Sequence, residues 1–484
     1  MRRKALRWLA APLLGLALLG GAGCATNPVT GQRQLALISE AQEIEMGQQA
    51  AREVEQGIGL VPDTALQAYV RRIGARLAAA SERPHLPWSF AVLDDPTPNA
   101  FALPGGPIYV TRGLLNLMDS EAELATVLGH EIGHVTARHS VTQISRAQLG
   151  QLGLVLGTIL APEVGQYAEL LGSGMQLLLL RYSRDAERQS DELGFRYALQ
   201  QGYDVREMAD VFESLARVGE AAGRSPLPTW AATHPAPEER IRNVEQRLAA
   251  LQAESGSPGR TGAAEYLAQI DGLVYGEDPR QGFFRDAVFY HPELRFRLRF
   301  PPGWRTQNTP RAVLAMSPRN DAALQLTLVP GATPAQAATR FLQQEGIQPL
   351  QTTQQESNGL PAVVAAFQAQ TQQGMLQGWA AFIAHDGRIY QLLGYTPAAA
   401  FARYQALFPQ VIGSFAPVSD PAILNVQPRR IRIVRVEQPT TLAEFDRRYP
   451  SVIPLEELAL INQLAGGGSQ VAAGTRLKRV VEGG

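Results

Sequence analysis

The strongest chemical signal in the sequence is the run His130-Glu131-Ile132-Gly133-His134. On a helix, residues four apart lie one turn apart on the same face, so both imidazoles can reach one metal ion. Glu131 stands beside them, where its carboxylate can accept a proton from metal-activated water. The chain has only 7 histidines, and a chance match to this pattern has a probability on the order of 0.01. The run therefore predicts one Zn²⁺ site per chain; a surface helix with incidental histidines is the alternative.

A zinc site with two histidines needs a third protein ligand. The metzincin pattern would place a glycine at position 137 and a histidine at position 140, but the chain has Ala137 and Ser140 there. We therefore reject that pattern. His139 falls one position short, and we interpret it as a residue at the helix end whose ring caps backbone carbonyls.

A carboxylate on a later helix can complete the site. Glu187 and Asp191 are four residues apart and would share a helical face, so Glu187 can bind the metal while Asp191 orients a ligand histidine. The glycines Gly129, Gly133 and Gly194 would let the two helices approach closely. The alternatives are a solvated Glu187 and an Asp191 that is only surface charge.

Helices and a few short strands must position these residues. Ser39 with Gln42 predicts the start of a helix that runs to about Gln56, and Ser120 with Glu123 predicts the start of the histidine-bearing helix, which runs to about His139. Spacing and turn residues predict further helices over Asp63–Ala80 and Arg184–Gln200, and strands over Trp88–Leu93, Asn99–Leu103 and Ile108–Thr111. This region is therefore expected to be mostly helical with a small sheet.

Several separate stretches match one known family. They are Asn27-Pro28-Val29-Thr30-Gly31, Asn99-Ala100-Phe101-Ala102 with Pro104-Gly105-Gly106, the run at 130–134, and Glu187 to Asp191 with Ser190 where the family has alanine. From about Asn27 to Leu251 the chain resembles the zinc metallopeptidases that include the CAAX prenyl protease, HtpX and BepA, and most of all the exported BepA-like branch. The resemblance implies a gluzincin fold, with His130, His134 and Glu187 as ligands of one Zn²⁺.

The resemblance also implies roles for two residues on a later segment. His234-Pro235, with Arg240 six residues on, matches another motif of the family. There the corresponding histidine approaches the zinc, so His234 is expected either to hold the site latent as a fourth ligand or to donate to the oxyanion. Arg240 is expected to orient His234 or to clamp a carboxylate. The alternatives are an ordinary His-Pro turn and a solvated arginine.

The strand that contains Asn99, Ala100 and Phe101 matches the region that faces substrate in this family. Its backbone is expected to pair with an extended peptide. Such pairing depends on the extended shape of the peptide and not on its sequence. The expected activity is a zinc-dependent endopeptidase that hydrolyses peptide bonds in misfolded or misassembled envelope proteins. The competing hypothesis is a non-proteolytic periplasmic chaperone or cell-wall-binding scaffold with a latent zinc site.

The N-terminus predicts export. A basic start, an apolar stretch over Trp8–Leu19 and small residues before Cys24 are typical of a secretory signal over residues 1–23. Cys24 is the only cysteine, and its position resembles a bacterial lipobox, although Gly21 stands where Leu is usual. We expect Cys24 to carry the lipid that anchors the protein in the periplasm, with ordinary cleavage near Ala25 as the alternative. Ala25 itself favours the outer membrane, because it is not the Asp that retains lipoproteins at the inner one.

The amino-acid composition excludes several classes of protein but does not identify the function. A length of 484 residues predicts two to four domains. With 45% apolar and 18% charged residues the chain is globular rather than disordered. One cysteine excludes a disulfide framework and a multi-cysteine zinc site, and a net charge of -1 offers no basic field for nucleic acid.

The remaining half of the chain predicts further modules. Ser, Gly and Pro mark a linker over residues 252–280, after the metallopeptidase domain at 24–251. Residues 281–418 are weakly similar to the PsbP/Mog1-like α/β sandwiches. Residues 429–481 are faintly LysM-like, which implies peptidoglycan binding; a structural cap or protein-docking unit is the alternative. The predicted fold class is thus α+β and multidomain.

Overall fold

The computed structural model describes residues 24–154, 182–221, 230, 234, 237–254, 259–371 and 374–483. The predicted signal segment 1–23 lies outside the described residues. Among the helices that are described, each is too short or too polar to cross a bilayer.

The chain forms two compact units. One contains the chain up to Gly276 together with Arg430–Val481, and the other contains Glu277–Arg429 with the last residues, Glu482–Gly484. The boundary at Gly276 falls inside the segment predicted as a linker. Part of that segment is structured, because Ala263–Ile270 forms a helix with buried apolar side chains.

The first unit is mostly helical up to residue 276. Its helices are α1 (Glu40–Ile58), α2 (Thr64–Ala79), α3 (Arg112–Leu117), α4 (Glu121–Thr136), α5 (His139–Leu154), α6 (Arg184–Gln200), α7 (Glu207–Ala221), α8 (Pro237–Glu254) and α9 (Ala263–Ile270). The predicted capping box of Ser39 is present at the start of α1, and the hydroxyl of Ser120 accepts the backbone N–H of Glu123 at the start of α4. The capping box is therefore confirmed at α1. At α4 only the serine half is present, because the carboxylate of Glu123 accepts the backbone N–H of Asp119 instead of that of Ser120.

In the described residues up to Gly276, five short strands accompany these helices: β1 (Cys24–Thr26), β2 (Arg33–Leu35), β3 (Ser89–Leu93), β4 (Ala100–Ala102) and β5 (Pro107–Thr111). β1 and β2 form an antiparallel pair. In the three-stranded sheet β5 is central, parallel to β3 and antiparallel to β4. The loop after β1 is tied to the end of α4, since the side-chain amide groups of Asn27 and Gln34 donate to the carbonyl of Ala137 at 3.4 and 3.2 Å.

The histidine-bearing helix ends earlier than predicted. α4 stops at Thr136, and a second helix begins at His139. Between them Arg138 adopts a left-handed backbone with φ of 60°, which costs a non-glycine residue free energy. Its side chain is held in place, because Nε donates to the buried carboxylate of Glu43 at 2.9 Å and Nη2 donates to the carbonyl of Ile38 at 3.0 Å.

The second unit is built on two antiparallel sheets. The strands are β6 (Phe283–Arg285), β7 (Val288–His291), β8 (Phe296–Arg299), β9 (Arg305–Asn308), β10 (Ala312–Met316), β11 (Ala323–Val329), β12 (Ile347–Ser357), β13 (Leu360–Thr371), β14 (Gly374–His385), β15 (Arg388–Pro397) and β16 (Ala416–Pro417). A seven-stranded sheet has the order β12-β13-β14-β15-β11-β10-β9, and a four-stranded sheet has the order β16-β8-β7-β6. The helices are α10 (Pro334–Leu342), α11 (Phe401–Tyr404), α12 (Leu407–Gly413) and α13 (Pro421–Leu424). The unit is therefore mixed α and β.

Residues 430–481 fold as a small layer within the first unit. They form β17 (Arg430–Arg435), β18 (Thr440–Thr441), α14 (Leu442–Arg448), α15 (Leu455–Ile461), β19 (Gln470–Val471) and β20 (Arg476–Val481). β17 and β20 pair antiparallel, with α14 and α15 between them in the chain. Leu117 of α3 is part of this layer's apolar core, and the side-chain amide of Gln463 donates to the carbonyl of Leu117 at 3.1 Å and to Glu123 at 2.7 Å. The segment predicted as a separate C-terminal unit thus packs against the helix that carries the histidines.

Candidate metal centre

Helices α4 and α6 pack with their backbones in close contact. A Cβ atom added to Gly194 would lie 2.7 Å from the backbone nitrogen of His130, and one added to Gly129 would lie 3.0 Å from Cα of Gly194. Real Cβ atoms do not approach backbone as closely as 2.7 Å, so position 194 requires glycine, and at position 129 any Cβ would be tightly packed against Gly194. The close approach predicted from the glycines is confirmed, and it brings the histidines of α4 next to Glu187 on α6.

Four buried side chains meet at this contact: His130, His134, Glu187 and His234. Their ligand atoms all lie within 4.8 Å of one another. The two Nε2 atoms of His130 and His134 are 3.0 Å apart, and each lies within 3.7 Å of a carboxylate oxygen of Glu187. Burial lowers the pKa of His134 well below its usual value, and the nearby histidines lower it further.

This donor set fits a zinc ion. Zinc takes imidazole nitrogens at about 2.0–2.1 Å, so two tetrahedral histidine ligands place their nitrogens roughly 3.3 Å apart. The observed separation of 3.0 Å is close to that value. Nδ1 of His130 lies 2.9 Å from Oδ1 of Asp191, which leaves Nε2 to face the other ligands. A zinc site typically uses two imidazoles and one carboxylate as ligands, with a further carboxylate hydrogen-bonded to a ligand imidazole, and this arrangement is present here.

Glu131 is buried beside the cluster with neither carboxylate oxygen hydrogen-bonded to any described residue. Its Oε1 lies 3.6 Å from Nε2 of His234. Burial raises the pKa of Glu131, and the nearby His234 and His130 offset part of that rise. A buried carboxylate without a donor is costly unless something occupies the space in front of it. Glu131 is therefore the group with free capacity to take up a proton.

Arg240 holds the carboxylates of α6 in place. Its Nε and Nη2 donate to the two oxygens of Asp191 at 2.8 and 2.5 Å, and Nη1 lies 3.1 Å from Oε2 of Glu187. The guanidinium stacks over Phe212 and Trp230, at 4.2 and 4.3 Å from the ring centres. Although burial raises the pKa of Asp191, Arg240 and His130 lower it to about 2. Arg240 was expected either to orient His234 or to clamp a carboxylate, and its contacts are with the carboxylates of Asp191 and Glu187.

His234 bridges the two glutamates. Its Nδ1 lies 3.0 Å from Oε1 of Glu187, and its Nε2 faces Glu131. Trp230 stacks on the ring at 4.8 Å, and the backbone N–H of His234 donates to the carbonyl of Trp230 at 2.9 Å. The structure thus brings together every residue that the sequence proposed as a ligand, base or orienting group. Trp230 and Phe212 were missed, because an isolated aromatic residue far along the chain gives no signal of what it stacks on.

The interpretation of His139 as a cap for carbonyls is wrong. Both of its ring nitrogens contact side chains: Nδ1 lies 3.0 Å from Nδ1 of His134, and Nε2 lies 3.0 Å from Oε1 of Gln189. Burial lowers the pKa of His139 to about 4. The helix break at Arg138 causes this difference, because it turns His139 back toward α4.

The strand expected to face substrate lies at the edge of the small sheet. Ala100 and Phe101 belong to β4, which pairs with β5 on one side, and Asn99 precedes it. All three residues are buried. The backbone N–H of Asn99 donates to the hydroxyl of Thr111 at 3.0 Å. Among the described strands, β4 has no partner on its other side.

Comparison with known proteins gives one family and several relatives. The model of peptidase family M48 matches residues 64–248. The mitochondrial metalloendopeptidase OMA1 of Schizosaccharomyces pombe is 34% identical over 233 residues, which cover 47% of this chain and 67% of that protein. The beta-barrel assembly-enhancing protease of Yersinia pestis is 30% identical over 229 residues, 46% of each chain. The chain therefore spans two thirds of the first relative and about half of the second.

Two solved structures align with part of this chain. Cyanobacterial PsbP from Synechocystis sp. PCC 6803 is 14% identical and covers 28% of this chain and 95% of its own, with a TM-score of 0.24. The Ran-binding protein Mog1p of Saccharomyces cerevisiae is 12% identical and covers 29% of this chain and 99% of its own, with a TM-score of 0.22. Both TM-scores lie under 0.5, so the assignment of residues 281–418 as a PsbP/Mog1-like sandwich stays a prediction.

Proposed function

The chain belongs to peptidase family M48 and is a metalloendopeptidase, and on that premise we propose that the buried cluster on α4 and α6 is its zinc centre. His130, His134 and Glu187 are the proposed ligands of one Zn²⁺, and Asp191 orients His130. The observation that carries the proposal is the convergence of four ligand atoms within 4.8 Å beside a glutamate whose two oxygens accept no hydrogen bond from the described residues.

Bound zinc supplies a Lewis acid that polarises a peptide carbonyl and makes water a nucleophile near neutral pH. Glu131 accepts the proton of the attacking water, because its carboxylate is buried, close to the ligands and without a hydrogen-bond donor in the part of the chain that the structure describes. It then returns that proton to the leaving amine nitrogen. Its raised pKa suits both steps, since a general base works best when its pKa approaches the working pH.

Two roles are open to His234. Its Nδ1 faces Glu187 and His130, as expected of a fourth ligand that holds the site latent. Its Nε2 faces Glu131, from where it can donate to a developing oxyanion. A His234→Ala variant separates them: a gain of cleavage supports latency, and a loss supports donation.

The proposed substrates are misfolded or misassembled envelope proteins, whose extended segments would pair with β4, which has no second partner among the described strands. The name of the Yersinia relative, a beta-barrel assembly-enhancing protease, agrees with that class.

We further propose a periplasmic location with a lipid on Cys24 at the outer membrane, and peptidoglycan as a partner of residues 429–481. Mass spectrometry of the mature N-terminus tests the lipid, and pull-down on purified peptidoglycan tests the other partner.

The decisive experiment measures zinc content and casein cleavage for the mature protein and for Glu131→Gln. Both proteins should bind about one zinc per chain, and only the unmodified one should cleave. Equal cleavage by the two would contradict the role of Glu131. No zinc in either would contradict the metal centre. A protein that binds zinc but stays silent, even as His234→Ala, would favour the chaperone or scaffold hypothesis.

A further inference from the structure

His134 uses its two ring nitrogens for different partners. Nε2 faces Nε2 of His130 and the carboxylate of Glu187, at 3.0 and 3.5 Å. Nδ1 faces away from these ligands toward Nδ1 of His139, at 3.0 Å. Two imidazole nitrogens at this distance form a hydrogen bond only if one of them carries the proton.

The surroundings of His139 decide which nitrogen donates. Its Nε2 lies 3.0 Å from Oε1 of Gln189, and an amide oxygen can only accept. Nε2 of His139 must therefore carry a proton, so Nδ1 of this neutral ring is the acceptor. The hydroxyl of Ser190, 3.3 Å from the same Nδ1, is a second donor to it. Nδ1–H of His134 is thus the donor, which leaves the lone pair on Nε2 of His134 directed at the ligand cluster.

We propose that His139 is a positioning residue for the metal ligand His134, and that Gln189 fixes the orientation and tautomer of His139. This inference rests on the proposed zinc centre. It identifies the hydrogen bonds that keep the Nε2 lone pair of His134 directed at the metal site. His130 has an equivalent partner in Asp191, at 2.9 Å. The two histidine ligands therefore differ in their support, because a carboxylate accepts from one and a neutral imidazole accepts from the other.

The backbone explains how a residue five positions after His134 can reach it. On an uninterrupted helix, five residues rotate the side chain by about 140° from the starting face. The left-handed Arg138, with φ of 60°, interrupts the helix after Thr136 and lets α5 begin with His139 beside α4. Gln189 and Ser190 of α6 close this arrangement from the other side. Both ring nitrogens of the buried His139 are thereby occupied.

The test is zinc affinity, measured on the mature protein by competition with a chromophoric chelator, with thermal unfolding of the metal-free proteins in parallel. His139→Phe keeps a ring of similar size and removes the acceptor. It should weaken zinc binding about 10- to 100-fold, the range for partners of metal-ligand histidines. His139→Gln, whose amide oxygen can accept from Nδ1–H, should recover part of the loss. His85→Phe, at a histidine with a side chain 60% exposed, is the control and should bind zinc like the unmodified protein.

The outcomes separate the two proposals. Unchanged zinc affinity in a folded His139→Phe, while the unmodified protein binds zinc and cleaves casein, would overturn the role of His139 alone. Should His139→Phe fail to fold, Gln189→Leu carries the test, and a loss of affinity at unchanged thermal stability would support the inference. Unchanged affinity in Gln189→Leu would overturn it. An unmodified protein without zinc would overturn the metal centre itself.

Discussion

Nζ of Lys478 lies 2.7 Å from Oδ1 of Asp119 at the start of helix α4, and the lysine side chain is completely buried. The same ammonium donates to the carbonyls of Asn116 and Met118 at 3.1 and 2.8 Å. These carbonyls belong to the end of α3 and the turn before α4, where helix geometry leaves them without partners. A residue of β20 therefore completes the hydrogen bonding of the turn that leads into the helix with both histidines.

We expect Lys478→Met to lower the free energy of unfolding of the whole first unit by about 2 kcal/mol, because charged hydrogen bonds of the ammonium are lost while its apolar stem is kept. Urea unfolding measures the change. Arg476→Met, at an exposed position of the same strand, is the control and should change stability little. A Lys478→Met protein as stable as the control would contradict the role of this contact.

Gly194→Ala should disrupt the metal centre. The added Cβ would lie 2.7 Å from the backbone nitrogen of His130, so α4 and α6 must separate, at a cost of about 1–3 kcal/mol. Casein cleavage and zinc affinity should both fall. Gly413→Ala adds the same atom where nothing lies within 4 Å, and it should leave stability equal or slightly higher. Full activity in Gly194→Ala would show that the backbones need not be this close.

Arg240→Ala should be among the most destabilising changes in the chain. It leaves Asp191 and Glu187 buried without their cation, and removal of one partner from a buried ion pair costs about 3–5 kcal/mol. Arg240→Lys should recover little, because an ammonium can neither bind Asp191 with two parallel hydrogen bonds nor pack as a planar group against the rings of Phe212 and Trp230. Thermal unfolding compares both with Arg242→Ala, an exposed position of the same helix. A fully stable Arg240→Lys would argue that charge alone matters.

Glu121 should contribute stability that depends on pH. Its carboxylate is buried, which opposes ionisation, but hydrogen bonds from Tyr203 and Tyr69 and the charges of Arg260 and Arg76 outweigh burial and lower its pKa. A carboxyl whose pKa is lower in the folded state contributes stability that is fully present above its unfolded pKa of about 4.3 and is lost as pH falls through the folded pKa.

Glu121→Gln should therefore be less stable than the unmodified protein near pH 7, and the difference should shrink as the pH falls below about 4. Urea unfolding at several pH values measures it. Glu245→Gln, on an exposed position, supplies the baseline. A difference that stays constant down to low pH would mean that the charge of Glu121 is not what stabilises the fold.

The sequence predicted the parts of the site that depend on helical spacing. His130, His134, Glu187 and Asp191 follow a four-residue period on capped helices, and local geometry alone places each pair on one face. The glycines predicted where the helices meet, because a residue without a Cβ lets another helix backbone approach closely. His234 followed only from the family resemblance, since a lone His-Pro pair has no period.

What could not be predicted depends on distant partners. α4 ends where it does because the side chain of Arg138 reaches Glu43, 95 positions earlier in the chain. That break decides the role of His139, which spacing on a continuous helix would assign to another face. The position of residues 430–481 likewise depends on where Lys478 and Gln463 find acceptors, 340 or more positions away. No local pattern encodes these pairings.

The hydrogen bonds from Asn27 and Gln34 to Ala137 have a consequence for where the peptidase can work. Asn27 lies only three positions after Cys24, a reach of about 10 Å even when the chain is fully extended. A lipid on Cys24, as proposed, would therefore keep the end of α4 close to the bilayer surface. The enzyme would then not search the volume of the periplasm. It would cleave those proteins that remain in a thin layer above the membrane.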